Sequence, residues 1–160
     1  MYNIGDKIVY PMHGAGVIEA IEEKEILGKK HNYYVVKMPI TDMKVMIPIE
    51  NSDEIGIREV INVNEADKVL KMFTKQKCPS VTNWSKRYRD NMVKIKSGDI
   101  YEVADVVRSL MLRDREKGLS TGERKMLNSA KQILISELIL AKNSSQDDIE
   151  NIIVHYLGLD

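Results

Sequence analysis

Residues 33–47, YYVVKMPITDMKVMI, contain two short strand-like runs separated by a break. The first run, residues 33–38, is rich in the aromatic and β-branched side chains that strands favour. Residues 39–42 begin with a proline and interrupt the pattern, and residues 43–47 resume it. This stretch therefore predicts two short strands and indicates that the N-terminal part of the chain is β structure.

The residues before this stretch continue the β pattern. Residues 7–13 read as a short strand that ends at a glycine-rich turn signal, GAG, at residues 14–16. Residues 17–26 resume a mixed apolar and acidic pattern, and residues 27–30, LGKK, form a second turn signal. Several short strands joined by tight turns predict a small antiparallel barrel or curled sheet.

Beyond residue 61 the sequence changes to helical patterns. Trp84, Tyr88, Met92 and Ile95 follow one another at spacings of 4, 4 and 3 residues, which places them on one face of a helix. Capping residues and glycines mark the ends of the other helical segments. The predicted helices cover residues 64–74, 84–96, 99–118 and 120–141, and a last helix opens at residues 145–148. We therefore predict an α+β protein, with a β domain over residues 1–61 and an all-helical domain over residues 62–160.

The composition favours binding over catalysis. Of the 160 residues, 43 % are apolar and 30 % are charged, as in an ordinary globular protein. The three histidines lie in different segments, each without a Cys, His or acidic residue at metal-ligand spacing. The single cysteine, Cys78, has no histidine nearby, and the sequence has no glycine-rich phosphate loop. We therefore expect a protein that is not an enzyme and that has no metal, cofactor or small-molecule substrate.

Other features of the sequence predict where the protein acts. One cysteine excludes an intrachain disulfide, and the chain opens without the basic stretch and apolar core of a secretory signal. No apolar run approaches the roughly 18 residues that a membrane span needs. We expect a cytoplasmic protein without a membrane partner.

The net charge of zero conceals a segregation of charge along the chain. Residues 75–96 hold 7 Lys and Arg against 1 Asp or Glu, and residues 108–131 hold 7 against 3. Residues 1–61 hold 7 against 10, and residues 144–160 hold none against 4. A basic middle between acidic ends indicates an anionic partner, the alternative being that these runs are only solvated faces.

The only tryptophan, Trp84, stands at the start of the basic helix predicted over residues 84–96. Three of the next five residues are Lys86, Arg87 and Arg89. Residues seven apart share a side of a helix, so we expect the cations of this helix to line up in solvent, where phosphates would reach them. Trp84 has two interpretations: it packs in the core at the head of the apolar stripe, or it stands half exposed and wedges against a DNA base step.

Several motifs of the chain resemble the CarD/CdnL family of bacterial transcription regulators. They are TNWSKRYRDN (82–91), SGD (97–99), VADVVR (103–108), RDREKGLS (113–120), GERKML (122–127) and the opening GDKIVYPMHGAGVIEAIE (5–22). The opening also resembles the RNA-polymerase-interaction module of the transcription-repair coupling factor. The resemblance covers nearly the whole chain and implies a Tudor-like β domain followed by a compact helical domain.

The resemblance also implies a mechanism. The β domain would bind the β subunit of RNA polymerase at its β1 lobe. The helical domain would contact promoter DNA, largely independently of sequence, at the upstream edge of the melted region and so stabilise the open complex. Trp84 would enter the distorted minor groove, and Lys86, Arg87 and Arg89 would hold the DNA backbone. Lys125, in a second basic cluster near a helix start, joins them as a predicted DNA contact.

The β domain departs from the family pattern at one of two basic positions for polymerase binding. Lys24 matches the first in charge, whereas the second corresponds to Met46. Met46 lies in MKVMI, a predicted edge strand whose residues Val45, Met46 and Ile47 would pair with a strand of the polymerase. The alternative is that Met46 packs inside the small barrel.

Two other classes of function stay open at this stage. One is a protein adaptor whose basic helix binds an acidic protein, which would show no preference for bubble DNA over duplex. The other is a Tudor-like reader of modified lysine, for which Tyr10, Tyr33 and Tyr34 are the nearby aromatic residues. Tyr33 and Tyr34 are adjacent in a predicted strand and would face opposite sides of it, which does not favour a cage.

Overall fold

The computed structural model describes residues 1–75 and 83–158, so Cys78 lies outside the described residues. The first part of the chain forms a five-stranded antiparallel sheet with the strand order β4-β3-β2-β1-β5. The strands are β1 Lys7–Tyr10, β2 Gly14–Ile26, β3 Lys29–Lys37, β4 Lys44–Pro48 and β5 Arg58–Glu59, and a short helix, α1 Ser52–Ile55, precedes β5. The predicted antiparallel β structure is confirmed.

One face of the sheet encloses a small apolar core. Tyr34 of β3 and its cross-strand partner Ile47 of β4 are fully buried in it. The other buried members of this core are Ile8, Ile18, Val36, Met38 and Ile57. A bulge in β2 between Ile18 and Ala20 increases the local twist and helps the sheet curl around this core into a barrel-like shape.

The first turn of the sheet lies earlier than the GAG motif predicts. The turn occupies residues 11–13, and Gly14 already pairs with β1. Close packing explains Gly16, since a Cβ there would lie 2.5 Å from Val36 Cγ1. Gly14 has two reasons: a Cβ would lie 2.7 Å from Ser136 Oγ, and its φ of 109° favours glycine. The predicted turn at residues 14–16 is therefore wrong, because glycine marks close approach as well as turns.

The second predicted turn is confirmed. Leu27 and Gly28 join β2 to β3 as a two-residue loop with φ values of 53° and 78°. Two successive positive φ values give a turn whose twist matches that of the flanking strands.

Helices form the rest of the described chain. They are α2 Val63–Lys71, which continues into a 3-10 turn at Met72–Thr74, α3 Trp84–Lys96, α4 Ile100–Glu116, α5 Thr121–Lys142 and α6 Gln146–Leu157. The side chains of Asp99, Ser120 and Ser145 each accept a hydrogen bond, of 2.9, 3.2 and 3.1 Å, from a backbone N–H in the first turn of their helix. These helix starts agree with the sequence prediction, and the protein is α+β.

The helix α5 lies at the centre of the molecule. Leu138 and other apolar residues of α5 belong to the core of the helical part. Another side of α5 packs against β2, where the Ala15 N–H donates a hydrogen bond of 2.8 Å to Ser136 Oγ. Arg58 of β5 donates two hydrogen bonds, of 2.7 and 2.8 Å, to the buried carboxylate of Glu137. α5 therefore belongs to the helical core and also anchors the sheet.

Candidate functional site

Trp84 is the first residue of α3 and stands partly in solvent. Asn83 precedes it as the helix cap, its side chain accepting a 3.1 Å hydrogen bond from the Lys86 N–H. Trp84 is 44 % exposed, although a tryptophan is usually mostly buried. Packing in the core, the first of the two interpretations, is therefore wrong for this residue. Trp84 stands half exposed, as the second interpretation requires.

The exposed ring is nevertheless held in a defined position. One face of the indole stacks on Tyr88, with ring centroids 5.3 Å apart and an interplanar angle of 21°. The indole N–H donates a 2.9 Å hydrogen bond to the hydroxyl of Ser120, the cap of α5. Gly122 lies beside the ring, where a Cβ would make an ordinary van der Waals contact of 3.6 Å with Trp84 Cζ2. We call Trp84, Tyr88, Ser120 and Gly122 the tryptophan platform.

The exposed cations of α3 lie on its outward side. Lys86, Arg89, Val93 and Lys96 are spaced by 3, 4 and 3 residues, so they follow one side of the helix, and all are exposed. Val93 is 69 % exposed. Within residues 1–75 and 83–158, the three cations of this basic stripe form no ion pair. Lys125 of α5 is likewise exposed and unpaired within those residues.

Arg87 differs from its neighbours because its guanidinium faces α5. Its side chain is 12 % exposed, and it donates hydrogen bonds of 3.4 and 3.5 Å to the carboxylate of Glu123, which is 3 % exposed. Arg113 approaches the same carboxylate at 4.0 Å. The expectation that Arg87 stands in a row of solvated cations is wrong, because Arg87 is paired with the buried Glu123. The sequence gives no sign of this acid, which lies opposite Arg87 only in the folded protein. A DNA contact of Arg87 stays a prediction that this geometry does not favour.

A second ionic cluster joins α3 to α4. Lys94 and Arg108 each approach Asp105 at 2.6 Å, so Lys94 is also paired and not part of a solvated row. Burial pushes the pKa of Asp105 up, but the hydrogen bonds from Lys94 and Arg108 outweigh it and hold the pKa below its usual value of 3.8. The cations of α3 therefore divide into an outward stripe and two inward residues that attach the helix to its neighbours.

The sheet carries the residues predicted to bind the polymerase. β4 is an edge strand, since it pairs with β3 and lies at the end of the strand order. Val45 and Ile47 point to the β core, whereas Met46 points to the outer face. By the same alternation, Lys24 of β2 and Tyr33 of β3 share this outer face with Met46. Lys24 is exposed, and Met46 and Tyr33 are partly exposed.

This arrangement decides two of the open interpretations. Met46 is not part of the apolar core of the sheet, so packing inside the barrel is excluded. Ile47 is fully buried, so its backbone alone is available to a partner strand. Tyr34 is also fully buried and cannot join Tyr33 in an aromatic cage, which removes the lysine-reader interpretation.

Two other kinds of feature are absent from the described residues. No group of three or more His, Cys, Asp or Glu side chains is placed to hold a metal ion within residues 1–75 and 83–158. In the same part of the chain, no helix has both the length and the apolar character needed to cross a membrane.

Comparisons with known proteins match both parts of the chain. Residues 2–61 match the family described as "CarD-like/TRCF RID domain", and residues 68–154 match "CarD, C-terminal domain". The chain is also 45 % identical, over 151 residues, to the "Putative transcription factor YdeB" of Bacillus subtilis (strain 168), which covers 94 % of this chain and 99 % of the relative. The chain belongs to the CarD-like family of transcription factors.

In this CarD-like protein, α5 connects the two candidate surfaces. Ser120, at the start of α5, binds Trp84, and Ser136 and Glu137 of the same helix bind the sheet. About 16 residues separate these contacts, which is about 24 Å along a helix. One continuous helix thus sets the distance between the tryptophan platform and the sheet that carries Met46.

Sequence reasoning missed the partners of the tryptophan in the CarD-like fold. The sequence predicts a helix that starts at residue 120, and Ser120 and Glu123 do lie at the start of α5. Their contacts with Trp84 and Arg87 span 36 residues of sequence, and no local pattern reports such pairs. Gly122 carried no signal, because a glycine inside the first turn of a helix has many explanations.

Proposed function

We propose that this CarD-like protein binds the β subunit of RNA polymerase, at its β1 lobe, through a domain formed by residues 1–61. We further propose that a domain formed by residues 62–160 contacts promoter DNA at the upstream edge of the melted region and stabilises the open complex. The observation that carries this proposal is Trp84, a half-exposed ring fixed beside exposed cations.

Trp84 suits a wedge that does not read sequence. Its one hydrogen-bond donor is taken by Ser120, so the exposed part of the ring offers apolar surface to a base step. Apolar wedges unstack a step at a cost of a few kcal/mol, which is smaller where the DNA is already distorted. Such a wedge favours the open state, and a difference of about 1.4 kcal/mol between open and closed states changes their ratio tenfold.

The exposed cations suit contacts with the DNA backbone on either side of the ring. Lys86 and Arg89 flank the platform on α3, and Lys125 adds a charge from α5. When unpaired cations bind phosphates, they release the counterions that were condensed on the DNA. This release gives affinity without base recognition. The family match leads us to favour DNA as the partner of this surface over an acidic protein.

The outer face of β4 suits a contact with another protein. Its free edge can accept a partner strand, and Met46 and Lys24 present an apolar and a charged contact on one face. The match of residues 2–61 to the CarD-like/TRCF RID domain supports RNA polymerase as that partner. Acting through the polymerase, the protein would be cytoplasmic.

The test is the lifetime of the open complex formed by purified RNA polymerase on a promoter, measured after a competitor is added. Trp84→Ala should shorten the lifetime by about tenfold or more while binding to the polymerase stays intact. Val63→Ala is the matched control, because it removes an exposed apolar side chain of α2, outside the basic stripe, and it should leave the lifetime unchanged. A well-folded Trp84→Ala protein that binds polymerase and keeps the full lifetime would refute the proposal.

A further inference from the structure

The hydroxyl of Ser120 uses all of its hydrogen-bonding capacity. It accepts from the Trp84 indole N–H at 2.9 Å and from the Glu123 backbone N–H at 3.2 Å, and it donates to the Glu123 carboxylate at 3.2 Å. A serine hydroxyl has two lone pairs and one proton, so these three contacts also fix the direction of its O–H bond. The lone pair that faces Trp84 is therefore oriented by groups of α5.

The carboxylate that orients Ser120 is itself held from the other side. Arg87, which follows Trp84 by three residues on α3, binds Glu123 at 3.4 Å. Arg87, Glu123, Ser120 and Trp84 thus form a closed chain of contacts between the first turns of α3 and α5. This circuit gives Arg87 a role in placing the ring, in keeping with its low exposure.

We propose that Ser120 is a positioning residue that holds Trp84, before DNA arrives, in the orientation in which it wedges into DNA. The inference rests on the proposed function of Trp84 and adds the means by which the ring is kept ready. A side chain at the exposed start of a helix normally loses rotational freedom when it binds. A ring that is already fixed by Ser120 and by stacking on Tyr88 loses less, so more of its contact energy stabilises the open complex.

The single tryptophan makes this inference directly measurable. Because Trp84 is the only tryptophan of the chain, the time-resolved fluorescence anisotropy of the whole protein reports the motion of this ring alone. Ser120→Gly removes the hydroxyl but keeps a residue that is accepted as a helix cap. Ser120→Thr keeps a hydroxyl at the same carbon and is the rescuing variant.

The chain offers a matched control for the loss of a cap. Ser145 caps α6 by the same kind of bond, 3.1 Å from the Asp148 N–H, and it is not part of the tryptophan platform. Ser145→Gly therefore repeats the chemical change of Ser120→Gly at another helix. Any effect common to both variants comes from weakened capping.

We expect Ser120→Gly to increase the fast local motion of Trp84 and to shorten the open-complex lifetime by about two- to tenfold, the range that corresponds to one net hydrogen bond. Ser120→Thr should restore both, and Ser145→Gly should change neither. Wild-type anisotropy decay in Ser120→Gly would overturn the inference. So would an unchanged lifetime in Ser120→Gly when Trp84→Ala shortens it. If Trp84→Ala itself has no effect, the proposed function fails and this role of Ser120 fails with it.

Discussion

The tryptophan platform is held by side chains from a second helix, whereas the outer face of β4 is held by the backbone of its own sheet. Trp84 depends on a hydroxyl of α5 and on a carboxylate that an arginine neutralises. Met46 depends on the ladder between β3 and β4, which is formed by main-chain groups that any residue except proline provides in full. Binding through the tryptophan platform should therefore be sensitive to the buried side chains that support it. Binding through the outer face of β4 should be sensitive mainly to the side chains exposed on that face.

This difference matches the partners that we propose for the two surfaces. A wedge must have one orientation, so its supporting residues matter as much as the ring. A strand that adds to another sheet is oriented by its backbone, and side chains adjust the strength of the contact.

The largest effect is expected behind the platform, at Arg87. Arg87→Ala leaves the buried carboxylate of Glu123 with the Ser120 hydroxyl at 3.2 Å and with Arg113, at 4.0 Å, as its remaining cation within the described residues. The change should lower the free energy of unfolding by about 3 kcal/mol. Arg89→Ala, two residues away on the exposed side, should change it by less than about 0.5 kcal/mol. Denaturant unfolding of both variants makes the comparison, and equal stabilities would show that Arg87 does not support the platform.

On the sheet, the sensitive position should be Met46 itself. Met46→Asp places a charge where we expect apolar burial and should weaken polymerase β1-lobe binding by about tenfold or more, while Met46→Leu should be nearly silent. The melting temperature should change little, because Met46 lies outside the core. Titration of the full-length variants with the β1 lobe measures the effect.

The exposed Met12, in the turn between β1 and β2, supplies the matched control for that titration. Met12→Asp introduces the same charge away from β4 and should bind the β1 lobe like the wild type. If the two aspartate variants bind equally well, β4 is not the polymerase contact.

The basic stripe should act through charge alone. Lys86→Ala and Arg89→Ala should each flatten the slope of log affinity against log salt for bubble DNA by about 0.9. Neither change should alter the preference among sequences, since phosphate contacts carry no base information. Lys68→Ala, at an exposed lysine of α2, is the control and should leave the slope as it is. Slopes that do not change in either stripe variant would place α3 away from the DNA backbone.

Acid should weaken the attachment of α3 to α4 through Asp105. Its pKa is lowered in the folded protein, so the stabilisation is fully present above the unfolded value of 3.8 and is lost as pH falls below it toward the folded pKa. The contribution should be about 1 kcal/mol or less, because the pair is partly exposed. Asp105→Asn should remove this part of the pH dependence, which denaturant unfolding at pH 3 and pH 6 would measure. A wild-type pH dependence in Asp105→Asn would assign the acid sensitivity to other carboxylates.

Much of the fold could be predicted because its signals are local. The strand-favouring side chains in residues 33–47 and the capping residues Asp99, Ser120 and Ser145 act within a few positions of themselves, and the structure agrees with them. The GAG motif gave a wrong turn prediction because Gly14 packs closely against Ser136, more than a hundred residues away in sequence. A glycine needed for close packing has the same sequence signature as a glycine needed for a turn.

The candidate site was predictable only in part, for the same reason. The position of Trp84 at a helix start favours partial exposure, and the spacing of Arg89 from Lys96 places both on one side of α3. The same spacing rule places Arg87 and Lys94 on one side of α3, but it cannot predict which side of the helix faces acidic residues of other helices. Glu123 and Asp105 decide that, and they become neighbours of α3 only after the helices pack.

The smallest effect is expected at Gly122, where the platform has space for an added methyl group. A Cβ at this position would lie 3.6 Å from Trp84 Cζ2 and 3.9 Å from Tyr88 Cε2, which is ordinary van der Waals contact. Gly122→Ala should therefore pack under both rings without displacing them, and it should stabilise α5 by about 0.5 kcal/mol because alanine loses less backbone entropy in a helix. The ring should move less and the open complex should last slightly longer, opposite in sign to the effect of Ser120→Gly. Gly118→Ala is the contrasting control, since Gly118 has a φ of 78° and strain there should lower stability. A Gly122→Ala protein with faster ring motion would mean that the space beneath Trp84 is needed for its orientation.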